Sequence, residues 1–202
     1  MTAAPFVTIA RDFAGETIVC LGTGPSLTAE DVDTCLGQAR VIAINDAYRL
    51  APWADVLYAA DSKWWRWQKG ASAFTGRKLT IVPQPQAWPG LGVLKNTGIE
   101  GLERDPTGLR TGYNSGYQAI NLAVHLGAAR VVLLGYDMRG THFFGRHPDG
   151  TVPPFHASLR AFDGLVAPLA AAGVTVVNAT RDTALMAFPR APLAQILTER
   201  AA

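Results

Sequence analysis

Residues 18–32 read IVCLGTGPSLTAEDV. An apolar run passes straight into a glycine turn and then into a helix start. The run is continuous rather than alternating, which predicts a strand covered on both faces, as in a parallel sheet. Thr28 with Asp31 three residues on forms a capping-box-like start for the helix. A backbone that turns on Gly22 and Gly24 directly off a strand makes room for a dinucleotide, for another nucleotide, or for nothing beyond a tight corner.

The pattern recurs along the chain. Strands are expected at 17–21, 41–45, 55–60, 78–82, 130–134 and 174–178, with IVCL, VVLL and VTVV again continuous. Helices fit at 28–37, 62–70, 115–127, 157–172 and 191–200, the third closed by Gly127 directly before RVVLL. Two segments break the rhythm, the Pro- and Gly-rich stretch 83–111 and the stretch 138–155, and both are expected as long loops. The expected fold is α/β: one Rossmann-like, doubly wound domain over residues 1–202, with a mainly parallel sheet flanked by helices.

With 202 residues, 49% hydrophobic and 17% charged, the chain has the material for a substantial core and is not disordered. A net charge of +2 with scattered basic residues lacks the footprint of a dedicated nucleic-acid binder. Cys20 and Cys35 lie in no metal-binding or redox array, so both are expected buried and reduced, in a cytoplasmic setting. The first residues make a poor signal peptide, and the apolar stretch 165–177 is too short and too broken by Pro168 and Gly173 to span a bilayer.

In an open α/β sheet, ligands bind beyond the carboxyl ends of the strands. There the first strand delivers Gly22, Thr23, Gly24, Pro25 and Ser26, the second Asn45 and Asp46, and the third Asp61. The helix entered through TGYNSG starts with Asn114, Ser115 and Gly116, and VVLL ends in Gly135, Tyr136 and Asp137. The glycines of the first turn would expose backbone N–H groups at a helix start, where partial positive charge suits an anion. Leu27 stands where GxGxxG needs its third glycine, and Pro25 removes a donor, which argues against NAD although Asp46 falls where a ribose-binding acid would. Asn114 and Ser115 are also preferred helix caps. Asp46, Asp61 and Asp137 suit Mg²⁺ carried with phosphates if they converge, or cap their own turns if they do not. Of the histidines, His125 is expected solvated on its helix, His142 and His147 lie in the second long loop, and His156 opens the last long helix. Each is a candidate general base. In WWRWQKG, Trp64 and Trp67 share a helical face and are expected in the core, leaving Trp65 for a ligand or partner.

IVCLGTGPSL, VIAINDAY, DVLYAADSKWW and NSGYQAINLAVHLGAARVVLLGYDM together resemble the DUF115 (MptE-like) superfamily, over residues 17 to 190. That group is similar to bacterial sialyltransferases of glycosyltransferase family 42 and to motility-associated glycosyltransferases, and its small single-domain look-alikes come from bacteriophages and prophages. The resemblance implies that Gly22, Gly24, Ser26 and Asn45 hold a CMP-linked sugar, that Ser115 and Gly116 hold the nucleotide or its sugar, and that His156 is the base on the acceptor hydroxyl. The sialyltransferases steady the leaving phosphate with lid tyrosines. The loop 138–155 offers Phe143 and Phe144 instead, so Tyr113 or Tyr136 takes that part on this reading.

The leading expectation is a transferase using a CMP- or UDP-linked sugar, with no permanently bound cofactor or metal and with His156 as base, His147 and Tyr136 being the further catalytic candidates. The acceptor is open among a glycan, a lipid, a small molecule and a modified nucleic acid, and an oligomer is compatible. The archaeal MptE-like branch implies an alternative, an ATP- and Mg²⁺-dependent diphosphate transfer to a pterin alcohol using Asp46, Asp61 and Asp137. A third reading is a phage nucleotide-binding or interaction protein that docks a partner on its Trp-rich surface.

Overall fold

A computed structural model describes residues 6–81, 88–146, 150 and 153–198. The strands are β1 (Thr17–Leu21), β2 (Arg40–Ile44), β3 (Val56–Tyr58), β4 (Arg77–Thr80), β5 (Leu91–Val93), β6 (Lys95–Asn96), β7 (Gly108–Leu109), β8 (Arg130–Leu134) and β9 (Thr175–Asn178). The helices are α1 (Ala29–Cys35), α2 (Ser62–Trp67), α3 (Ser115–Leu126), α4 (Phe155–Asp163), α5 (Val166–Ala171) and α6 (Leu193–Thr198). Seven strands form one parallel sheet in the order β5-β4-β3-β2-β1-β8-β9, and β6 pairs with β7 in a separate parallel ribbon.

The continuous apolar runs are explained by burial on both faces. Ile18, Cys20, Ile42, Ile44, Val131 and Leu133 enter one core with residues of α3, α4 and α5. Their neighbours Val19, Leu21, Val41, Ala43, Val132 and Leu134 enter a second core with residues of α1, α2 and α6. Alternate side chains of a strand point to opposite faces, so a strand buried on both shows no polar alternation. Cys20 and Cys35 are both buried and free, and burial pushes each thiol up to about 12.

Two expectations about elements are corrected. The single helix at 157–172 is two helices, α4 and α5, with Gly164 and Leu165 between them. Pro168 has no N–H to give to the carbonyl of Gly164 four residues back, and its ring would clash with that carbonyl in a continuous helix. The stretch 83–111 is not all loop. Its described part contributes the edge strand β5 and the ribbon β6–β7. A buried polar row on α3 ties this excursion down. Gln118 Nε2 donates to the carbonyl of Thr111 (2.9 Å), Asn121 Oδ1 accepts from the N–H of Glu103 (2.9 Å), and His125 Nε2 donates to the carbonyl of Gly108 (2.9 Å). His125, expected in solvent, is therefore buried.

From β1 the chain winds outward through β2 to β5, then recrosses to β8 on the other side of β1. The topological switch point lies between β1 and β8, where open α/β sheets bind their ligands.

Candidate functional site

A cavity of about 300 Å³ opens at this switch point. Its walls come from the carboxyl ends of β1, β2, β3 and β8, the N-terminus of α3, and the segment that follows β8. Of the residues singled out in the sequence, Gly22, Thr23, Gly24, Asn45, Asp46, Asp61, Asn114, Ser115, Gly116 and Tyr136 line it. Pro25, Ser26, Asp137 and His156 are not among its lining residues. His147 lies outside the described residues.

The glycine turn does a different job from the one expected. The N–H groups of Gly22 and Gly24 are already donated, to the carbonyls of Leu134 (2.7 Å) and Gly135 (2.8 Å). The N–H and hydroxyl of Ser26 both go to the carboxylate of Asp137, at 2.9 and 3.0 Å. These donors stitch the turn after β1 to the turn after β8. A Cβ on Gly22 would lie 2.5 Å from the carbonyl oxygen of Gly135, and one on Gly24 would lie 1.9 Å from Asp137 Oδ2. The glycines are there for close approach. What the turn presents to the cavity is the side chain of Thr23.

On the β2–β3 side, Asn45 lines the cavity in a left-handed backbone (φ 49) that asparagine tolerates. Asp46 accepts from Trp64 Nε1 (2.7 Å) and Gln68 Nε2 (3.1 Å) and pairs with Arg49 (2.9 Å). Asp61 caps α2 by accepting from the N–H of Lys63 (2.7 Å). With Asp137 taken by Ser26, each of the three carboxylates already has a partner within the fold. Among the described residues, no three His, Cys, Asp or Glu side chains gather as a metal site, so the Mg²⁺ triad does not assemble.

The tryptophans are also reassigned. Trp64 and Trp65 are the buried pair, packed edge-to-face with centroids 4.9 Å apart, and Trp65 Nε1 donates to the carbonyl of Ala59. Trp67 is the exposed one. It is the last residue of this six-residue helix, at its exposed end. The Trp-rich surface expected for partner docking is mostly core.

At the start of α3, Asn114 Oδ1 accepts from the N–H groups of Gly116 (2.7 Å) and Tyr117 (3.3 Å), the capping role expected of it. Ser115 stands beside it on the cavity wall. Tyr136 is 3% exposed and donates its hydroxyl to the carbonyl of Gly116 (3.1 Å). Burial pushes its phenol well above the usual value. Tyr113 is the opposite case. It is 49% exposed at the cavity and holds φ at 57. Gly112 (φ 50) and Tyr113 are the central residues of a turn closed by the N–H of Asn114 on the carbonyl of Thr111 (3.0 Å). Both positive values make this a primed turn, in which glycine and asparagine dominate. A bulky residue held there costs on the order of 1–3 kcal/mol.

The histidines separate cleanly. His142 lines the cavity, with Nδ1 2.9 Å from Thr23 Oγ1 and its ring stacked on Phe144 (centroids 4.8 Å apart, planes 6° apart). The next residue fixes the segment further, since the N–H of Phe143 donates to the carbonyl of Thr23 (2.9 Å). His156 is exposed, on the second residue of α4, one position after the cavity-lining Phe155. Arg139, also on the cavity wall, is ion-paired with Asp182. Sequence reading had no means of ranking His142 above its neighbours, because its partner Thr23 lies 119 positions away. No helix among the described residues is long and apolar enough to cross a membrane.

No family model matches the chain, and none of the curated proteins does. Among solved structures, the chain is similar to the MAf glycosyltransferase from Magnetospirillum magneticum AMB-1, with a TM-score of 0.66 at 11% identity. That likeness covers 94% of this chain and 35% of the other, so the chain spans about a third of its neighbour's length. A short-chain dehydrogenase from Oenococcus oeni PSU-1 reaches a TM-score of only 0.24 at 13% identity. The chain thus has a Rossmann-like α/β fold, shared with the MAf glycosyltransferase.

Proposed function

We propose that the chain is a transferase acting on a nucleotide-linked sugar, with the donor in the switch-point cavity. The observation that carries this reading is the position of His142, which the hydroxyl of Thr23 and the ring of Phe144 hold on the wall of that cavity. With the Nδ1 proton donated to Thr23 Oγ1, Nε2 carries the lone pair and takes the proton of an acceptor hydroxyl. The acceptor oxygen then bonds to the anomeric carbon of the sugar. The bond from that carbon to the phosphate oxygen breaks, and its electron pair leaves with the nucleotide. The N-terminus of α3, with Ser115 beside it, offers partial positive charge and a hydroxyl to the departing phosphate. His142 replaces His156 as the proposed base on the strength of its place in the cavity.

Titration of the chain with CMP, UDP, ATP and NAD, with and without Mg²⁺, tests the donor class. Binding of CMP or UDP supports the reading, whereas binding of ATP alone and only with Mg²⁺ favours diphosphate transfer and removes it. Once turnover is measured, His142→Ala should lower kcat by about 10²–10⁴-fold, the range for a positioned base. His156→Ala should stay within about tenfold of wild type on the same scale. The reverse ranking returns the base to His156.

A further inference from the structure

Among the described residues, five other than glycine hold positive φ, and three of them, Asn45, Tyr113 and Met138, line the same cavity. Asparagine tolerates this backbone, and Met138 is buried at 7% exposure, where packing holds it. Neither explanation serves Tyr113. Its ring is half exposed, its turn position favours glycine or asparagine, and among the described residues its backbone carbonyl accepts from Ser158 Oγ at 3.4 Å. A residue that costs the fold stability while leaving half its surface at a cavity points to a ring that serves a ligand. The ring sits directly before Asn114 and Ser115, at the helix start that suits a phosphate.

We infer that Tyr113 is the stacking platform for the nucleobase of the donor, and that its strained backbone is retained to present that ring. This rests on the nucleotide reading above and adds the residue that reads the base. Stacking on an aromatic ring tolerates either pyrimidine, because each has a π face. Tyr113 therefore contributes affinity for the nucleotide half of the donor, independent of the sugar it carries.

The test is calorimetric titration of the full chain and three variants with CMP and UMP, which lack the donor sugar, alongside thermal melts. Tyr113→Asn, which suits a left-handed backbone, should melt roughly 2–4 °C above wild type, the shift about 1 kcal/mol of relieved strain gives at this size. The same variant should bind CMP and UMP at least about tenfold more weakly, within the range measured for lost base stacking. Tyr113→Leu should lose the same affinity without the gain in melting temperature, and Tyr113→Phe should bind like wild type. Three results overturn the inference while leaving the nucleotide reading intact. These are Asn and Leu variants that bind both nucleotides within about twofold of wild type, a Phe variant as weak as Asn, and a Tyr113→Asn variant that melts below wild type. Failure of the wild-type chain to bind either nucleotide overturns both.

Discussion

Gly24 has no space for even a methyl group, since its Cβ would sit 1.9 Å from Asp137 Oδ2 and 2.7 Å from the carbonyl oxygen of Gly135. Gly24→Ala must therefore push the turns after β1 and β8 apart, at a cost of about 1–3 kcal/mol or more in urea unfolding. Asp137→Ala removes the acceptor of two Ser26 donors and should cost about 1–3 kcal/mol, because a part-buried N–H is left without a partner. Stability unchanged in either variant would show that the two turns do not depend on each other. That the glycines were needed was legible in the sequence. That their N–H groups are spent on the carbonyls of Leu134 and Gly135, and that of Ser26 on Asp137, was not, because these partners lie at least 111 positions away and only the crossover brings them together. A separation of 119 positions likewise hid the pairing of Thr23 with His142. Local patterns name a residue's own turn well and its partner across the sheet poorly.

At the level of elements, α3 shows what hydrophobic periodicity misses. Gln118, Asn121 and His125 form a polar row in a buried place, and they hold the 103–111 excursion through its backbone carbonyls and N–H groups. No side-chain pattern announces a partner that is backbone, so His125 read as solvated and the excursion as free loop. Burial lowers the pKa of His125 below its usual value, with the Gly108 carbonyl and the acidic Glu103 and Asp105 opposing that shift. Folding therefore prefers the neutral ring. The stability this contributes is complete above the unfolded value of about 6.5 and is lost as pH falls from there toward the folded pKa. His125→Gln, which cannot charge, should narrow its stability gap to wild type between pH 7.5 and pH 5 in paired denaturant titrations. A gap that stays constant or widens over that range contradicts the assignment. The break between α4 and α5 follows from a residue that was in plain view, since Pro168 faces the carbonyl of Gly164, yet the apolar run through 165–172 masked it.

Across the whole molecule, the doubly wound architecture was the most legible property. Each central strand is buried on both faces, so the sequence could show little but continuous apolar runs, and those are diagnostic when helices alternate with them. The switch point follows from the strand order, and of the polar residues expected there Thr23, Asn45, Asp46, Asp61, Asn114 and Ser115 line the cavity, whereas Ser26 and Asp137 do not. The uses of the acidic residues did not follow, because Asp46 and Asp61 serve nearby structure that a one-dimensional reading weighs equally with a ligand, and Asp137 serves a turn 111 positions away. The account thus comes down to one claim, that the cavity between the turns after β1 and β8 holds a nucleotide. A crystal structure of the chain grown with CMP or UMP tests it most directly. The expected result is the phosphate at the start of α3 beside Ser115, the base against Tyr113 and His142 within reach of the open side of the phosphate. A nucleotide found elsewhere, such as the groove between α1 and the end of β9 lined by Arg181 and Arg190, would contradict it.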